Sequence, residues 1–363
     1  MNESPQNSDA RREDWLAGPE DPVLVTGAAG FIGKRVVRNL AAKGFAAIRC
    51  FARSGGSGDI PAGPGGNGGP ACAPEIVEGN LLSREDCERA VKGARVIYHL
   101  AAGSGSKSSP DAYMNSVVTT RNLLEAARRE GAMRRFVNVS SFSVYSNRGG
   151  SRRRLFDESC PMDDNPQLRG DAYTYAKVRQ DEMVMDYCGR HGLSYVLVRP
   201  GVVYGPGKGR ISGRVGLGTF GVFLHLGGGN EIPLTHVENC AEAIVLAGLQ
   251  PGVDGEVFNV VDDDLPSSRR FLRQYKRRVR SFPSIYLPHA VSYLLCCAWE
   301  KYSSWSKGQL PPVFNRSMWR AYWKPGRYTN RKLKERLGWR PLVSTGKALG
   351  DHFEHCRKEE EDA

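Results

Sequence analysis

The stretch Val23-Leu24-Val25-Thr26-Gly27-Ala28-Ala29-Gly30-Phe31-Ile32-Gly33 constrains the fold of this chain more than any other. β-Formers run directly into glycines at every third position, and an apolar-periodic segment follows from Phe31 to Lys43, closed by Gly44. That order reads as a strand, a tight turn and a helix, with glycine where a helix C-terminus favours a left-handed residue. The turn has no bulky Cβ, so a ligand can approach its backbone. Free N–H groups at the helix start attract an anion, and the pyrophosphate of a dinucleotide is the usual one. Alone, the spacing also fits a glycine-rich turn with no ligand; the residues downstream decide between the two.

Further strands are expected at 46–51, 75–78, 95–100, 135–139, 194–198 and 256–261, alternating with helical patterns at about 112–130, 172–191 and 235–250. Such alternation implies α/β architecture, a doubly wound parallel sheet (Rossmann). Its domain would span 21–206 and also receive about 235–261. A smaller, mostly helical substrate domain is expected from 207–234, of which 207–230 reads as a glycine-rich mobile loop, and 262–345. Residues 1–20 read as a disordered tail, 55–74 as a flexible Gly/Pro insertion, and 346–363 as a charged tail. Ligands of such sheets bind at the carboxyl ends of the strands. Arg53, Asn80 and Leu81, Leu100 to Ala102, and Ser140-Ser141 therefore converge on one crevice. An acid at the end of the second strand would bind the ribose hydroxyl of NAD. This chain offers Arg53 there, with Arg49 nearby, which favours NADP(H); the alternative is a solvated surface arginine.

With 40% hydrophobic and 25% charged residues among 363, the composition is that of a soluble globular protein. No run of about 20 apolar residues suggests a membrane span; Ile285 to Trp299 comes closest. No apolar leader is visible, and nine scattered cysteines suit a reducing cytoplasm. Part of the net charge of +12 lies in Arg152 to Arg154 and in the run 269–280. With Phe271, Leu272, Tyr275 and Val279 interleaved, that run reads as a solvated basic helix or as a peripheral contact with an anionic membrane. No nucleic-acid module accompanies the charge. His352-x-x-His355-Cys356 has a partly metal-like spacing but reads as plain surface, and no metal is expected.

Tyr173 and Lys177 stand four residues apart on the 172–191 helix and share a face. A neighbouring ammonium lowers a phenol's pKa, so the tyrosine can take or return a proton. A strand-end serine can hold the substrate oxygen while charge develops on it.

The ordered motifs Thr26-Gly27-x-x-Gly30-Phe31-Ile32-Gly33, Tyr98-His99-Leu100-Ala101-Ala102, Ser140-Ser141-x-Ser143-Val144-Tyr145, Tyr173-x-x-x-Lys177, Arg199-Pro200-x-x-Val203-Tyr204-Gly205-Pro206 and Leu337-Gly338-Trp339-x-Pro341 resemble an extended short-chain dehydrogenase/reductase, the NAD-dependent epimerase/dehydratase kind. The resemblance implies Ser141, Tyr173 and Lys177 as catalytic residues. It implies cofactor contacts from Gly27, Gly30, Phe31, Ile32, Gly33, Arg53, Asn80, Leu81, Leu100, Ala101, Ala102, Tyr173, Lys177, Pro200 and Val203. Ser116 stands where the family has an asparagine, so that contact is unassigned. Nucleotide-sugar members carry an arginine four residues before His236-Val237-Glu238-Asn239, where this chain has Ile232. That form is nearer the 3β-hydroxysteroid dehydrogenase-like branch. The resemblance thus implies an NAD(P)-dependent dehydrogenase or reductase on a secondary alcohol or ketone, with a nucleotide-sugar epimerase using tightly bound NAD as the alternative and Arg327 or the Arg210/Arg214 loop as its phosphate grip. A homodimer is implied by the same resemblance.

Overall fold

The computed structural model describes residues 14–56, 60, 73–103, 108–147, 154–208, 211–219, 221–306 and 315–362. Arg152, Arg153, Arg210, residues 1–13 of the expected tail and most of the expected 55–74 insertion lie outside them.

The centre is a seven-stranded sheet, all of whose pairings are parallel. Its members are β1 (Val23–Thr26), β2 (Ile48–Ala52), β3 (Glu75–Glu78), β4 (Val96–His99), β5 (Arg135–Val139), β7 (Tyr195–Pro200) and β12 (Val257–Val260), in the order β12-β7-β5-β4-β1-β2-β3. The expected doubly wound sheet is present. The order reverses beside β1, so the carboxyl ends of β1 and β4 flank the crevice where such sheets bind ligands. The chain crosses over through α1 (Gly33–Ala42), α2 (Arg84–Val91), α3 (Thr119–Glu130), α4 (Ala172–His191) and α5 (Val237–Leu249). Val36, Val37 and Leu40 of α1 pack with Val23 and Val25 on one face; Leu123 and Leu124 of α3 and Val184 of α4 pack with Leu24 and Ile97 on the other. Alternate residues of β1 thus serve opposite layers, as a two-sided sheet requires.

The remaining strands form small sheets around the crevice. β6 (Arg154–Phe156) pairs with β14 (Gly326–Tyr328), and β8 (Val202–Tyr204) with β11 (Leu234–His236). β9 (Gly216–Thr219), β10 (Val222–His225) and β13 (Ser284–Tyr286) form a three-stranded sheet. The expected loop at 207–230 is corrected where it is described: β9 and β10 make an antiparallel pair, Leu217 facing Leu224.

Three further expectations are corrected. Residues 14–20 are folded onto the domain, with Trp15 stacked on Phe45 and the Leu16 N–H donating to the Leu249 carbonyl at 2.9 Å. Residues 346–361 of the expected tail are folded: α9 (Thr345–Glu361) buries Ala348, Leu349, His352, Phe353 and Cys356 at helical spacing. His352 and Cys356 are thus interior, and among the described residues no group of metal-ligating side chains exists. The basic run forms α6 (Ser268–Arg278), whose Phe271, Leu272 and Tyr275 pack against Phe353 of α9. Its apolar stripe is used internally, so a membrane contact cannot draw on it. Helix α7 (His289–Trp305) follows; no helix among the described residues is long and apolar enough to cross a membrane.

Candidate active site

β1 ends at Thr26, and the chain turns through Gly27 at φ +70° into α1. A Cβ on Gly27 would meet the Ala101 backbone nitrogen at 2.9 Å; one on Gly33 would meet the Gly27 carbonyl oxygen at 2.1 Å. The turn folds this tightly because neither position carries a side chain. It leaves a groove of about 540 Å³ lined by Gly27, Gly30, Arg53, Asn80, Leu81, Leu100, Ala101 and Ala102, and also by Ala29, Phe51, Asp111, Asn115 and Thr119. The backbone cradle, its place at a helix start and the elongated groove fit a dinucleotide. Phe31, Ile32 and Gly33 sit at the helix start but do not line the groove.

Of the two arginines at β2, only Arg53 faces the groove. Arg49 is consumed by Glu75 at 2.8 Å and by the Ala90 and Lys92 carbonyls. Asn80 is held by its own turn: its N–H donates to Asp86, and its Oδ1 accepts from the Leu82 N–H at 3.0 Å. Asn122 Nδ2 donates to the Leu81 carbonyl at 3.0 Å, fixing that corner from α3.

Along the sheet, β5 delivers Ser140 and Ser141. The Ser141 hydroxyl oxygen caps a short 3₁₀ turn by accepting the Ser143 N–H at 3.2 Å. Asp171 caps α4, accepting from the Tyr173 N–H at 3.1 Å, and this sets Tyr173 in the first turn, 37% exposed. Burial of its hydroxyl pushes the Tyr173 phenol up to about 12, against a hydrogen bond with Ser141 that lowers it. The sequence expectation that Lys177 does the lowering is corrected. The amine points inward, donating to the Val139 carbonyl at 2.7 Å and to Gln180 Oε1 at 2.9 Å, and Lys177 is only 4% exposed. Burial brings that amine down to about 8, opposed by the Asp181 carboxylate.

A smaller cavity of about 140 Å³ adjoins these groups, lined by Ser141, Ser143, Asn147, Tyr173, Gly201, Val202, Arg214, Tyr322 and Tyr328 among others. Ser143 Oγ and Asn147 Oδ1 are buried there with no hydrogen-bond partner among the described residues. Arg169 also lines it, but its guanidinium is neutralised by Asp163 at 2.6 Å. Arg214 is different. It donates to the Ala321 carbonyl and the Tyr328 hydroxyl and lies 5.5 Å over the Tyr322 ring, and among the described residues no carboxylate pairs with it. The site therefore brings a proton donor, a hydroxyl and a cation with no carboxylate partner among the described residues around one small space.

Ser141 and Tyr173 line this cavity, but Pro200 and Val203 line neither space; their neighbours Gly201 and Val202 do. Ile232 is in the core, 1% exposed. Sequence reasoning missed Ser143, Asn147, Tyr322, Tyr328 and Gln180. Only Gln180 left a legible sign, being seven residues from Tyr173 and three from Lys177 on one helix face.

The model of the NAD dependent epimerase/dehydratase family matches residues 23–260. A 3 beta-hydroxysteroid dehydrogenase/Delta 5→4-isomerase of Mycobacterium tuberculosis is 34% identical over 193 residues, covering 51% of this chain and 48% of that protein. The chain thus spans about half the length of that relative. A 3-beta-hydroxysteroid dehydrogenase of Mycolicibacterium neoaurum is 26% identical over 345 residues, covering 91% and 89%. Among solved structures, that of gox2253 has a TM-score of 0.73 at 20% identity, covering 94% of this chain and 99% of that one.

Proposed function

The chain belongs to the NAD-dependent epimerase/dehydratase family, and on that footing we propose that it is an enzyme, an NAD(P)-dependent oxidoreductase interconverting a secondary alcohol and a ketone. The observation that carries the reading is the Ser141–Tyr173 hydroxyl pair, lying in a cavity beside the glycine groove. When bound, the nicotinamide accepts or supplies the hydride. The chain's part is the oxygen and its proton. Ser141 donates to the substrate oxygen and orients it. The Tyr173 phenol, protonated at neutral pH, gives its proton to a carbonyl oxygen during reduction and takes it back during oxidation. Lys177, one turn further along the same helix, supplies positive charge on the cofactor side. Gly27 and Gly30 admit the pyrophosphate, and Arg53 favours a 2′-phosphate and hence NADP(H).

Hydroxysteroid dehydrogenation by the two relatives supports a hydroxyl-oxidising or ketone-reducing activity here. A second reading, a nucleotide-sugar epimerase with retained NAD, draws on Arg214, whose guanidinium lines the smaller cavity without a carboxylate partner among the described residues and suits a phosphate or sugar acid. Ile232 weighs against it. Purified full chain mixed with NADH or NADPH and a panel of 3-ketosteroids, 3-oxo esters and UDP-glucose separates the two. Loss of 340 nm absorbance with a ketone supports the oxidoreductase. Retained stoichiometric NAD, with sugar isomers forming and no net change at 340 nm, selects the epimerase. No turnover and no cofactor binding refutes both.

A further inference from the structure

A buried file of polar side chains joins the end of β1 to the amine of Lys177. Thr26, His99, Thr120 and Gln180 are each 1% exposed or less. Thr26 Oγ1 lies 2.8 Å from His99 Nδ1, and His99 Nε2 lies 2.8 Å from Thr120 Oγ1. Gln180 Nε2 lies 2.7 Å from the same Thr120 oxygen, and Gln180 Oε1 accepts from Lys177 Nζ at 2.9 Å.

The direction of every bond follows by elimination. An ammonium only donates, so Gln180 must turn its oxygen to Lys177 and its amide nitrogen to Thr120. The Thr120 hydroxyl has one proton, given to the Ser116 carbonyl at 2.5 Å. Its oxygen therefore accepts from both Gln180 and His99, which puts the imidazole proton on Nε2. His99 Nδ1 then accepts from Thr26, whose oxygen accepts the Ala101 N–H at 3.3 Å. Burial, aided by the charge of Lys177, keeps His99 neutral, with its pKa down at about 3. The file thus converges on Thr120, with donors running inward from Thr26 at the glycine turn and from the Lys177 amine, and its own proton passing to the Ser116 carbonyl.

We propose that Gln180 is a positioning residue for Lys177: through Thr120 and His99 it fixes the amine beneath the cleft, and by accepting one of its protons it favours the charged form. The inference rests on Lys177 being the cofactor-side cation of the proposed function. Two of the three ammonium protons are engaged, by Val139 and Gln180. The charged and titratable groups around the amine are Asp181 and Tyr173 on its own helix and His99 on β4. Arg199 on β7 shares the Asp181 carboxylate at 3.0 Å, so Asp181 does not serve Lys177 alone. β5 contributes the Val139 carbonyl. Among the described residues, α3 and the π-helical turn before it reach this file through neutral groups, the Thr120 hydroxyl and the Ser116 carbonyl. A dedicated neutral acceptor accordingly matters.

The test is the pH dependence of NADH binding by the purified full chain, followed by nicotinamide fluorescence from pH 6 to 10.5. A native affinity that weakens as Lys177 deprotonates, near pH 8, is expected. Gln180→Met keeps the length but removes the acceptor, and should move that midpoint down by about 1 unit. Gln180→Glu keeps the oxygen and adds charge, and should move it up by about as much. Thr120→Val, which frees the Gln180 amide without touching Lys177, should shift it down by less; Lys177→Met should abolish it. Thermal melts identify the folded variants, and Thr120→Val carries the test if neither Gln180 variant melts cooperatively. Midpoints that stay put in folded variants, or shift in the same direction in both Gln180 variants, overturn the proposal. So does native NADH binding with no pH dependence above neutrality, a result that leaves the functional reading standing. Where NADH does not bind, NADPH takes its place in the same titration, and a native chain that binds neither overturns both.

Discussion

Substitution of Gly33 by alanine is the sharpest test of the glycine turn. The new Cβ would sit 2.1 Å from the Gly27 carbonyl oxygen and 2.8 Å from the Ala28 Cα. Ordinary contact begins at 3.4 Å, so the turn must open by 3.4 − 2.1 = 1.3 Å. Both neighbours are backbone, and no rotamer change relieves the clash. Overpacking of this kind costs about 1–3 kcal/mol of stability. Opening the turn also moves the N–H groups meant for the pyrophosphate. Losing one charge-assisted hydrogen bond costs about 1.5–3 kcal/mol, or about 10- to 100-fold in affinity. Gly44→Ala is the control. Its φ is +94° but nothing lies within 4 Å, so it pays only local strain, about 1–2 kcal/mol, away from the groove. NADH titration by fluorescence, with a thermal melt of each variant, reads both effects. Native NADH affinity in Gly33→Ala, or an equal loss in Gly44→Ala, would refute the argument.

Four other outcomes follow from burial and charge. The Lys177 pKa falls from 10.5 to about 8 on folding, so the folded state binds fewer protons between those values. The penalty is full below pH 8, and stability should rise from about pH 8 to 10.5 by roughly 3 kcal/mol, a rise that urea melts should not find in Lys177→Met. Asp181→Leu leaves the Arg199 guanidinium, 3% exposed, without its carboxylate, and should destabilise the fold by about 3–5 kcal/mol in the same melts. Phe353→Ala should cost about 3–5 kcal/mol because Phe353 is 1% exposed against Phe271 and Tyr275; a tail residue would cost nothing. Ile232→Arg should lower the melting temperature without improving UDP-sugar binding, since position 232 faces the core.

What the sequence made legible was the part set by backbone chemistry. Glycines at 27, 30 and 33 mark the turn because only they fit it, and the 172–191 helix runs from its Asp171 cap to Gly192 at φ +62°. Long-range packing was less legible. The β9–β10 pair was hidden because Gly216, Gly218 and Gly221 lower strand propensity, although a Cβ at Gly216 would strike the Leu224 carbonyl oxygen at 2.0 Å. In α9 the charges at 357–361 outweighed the apolar spacing of 345, 348, 349, 352, 353 and 356. The stripe of α6 was visible, but its direction depended on α9, some eighty residues later in the chain. At the site, Tyr-x-x-x-Lys located both side chains, while the inward turn of Lys177 depended on Gln180, which helical spacing could have named, and on Val139, which no spacing rule names.

The central claim is that the Tyr173 hydroxyl carries the proton that accompanies hydride transfer. With a ketone substrate from the panel above, Tyr173→Phe removes one oxygen and leaves the glycine groove untouched. NADH should bind with native affinity while the rate of 340 nm loss falls by about 10²–10⁴-fold. A phenylalanine variant that turns over at the native rate would contradict the account.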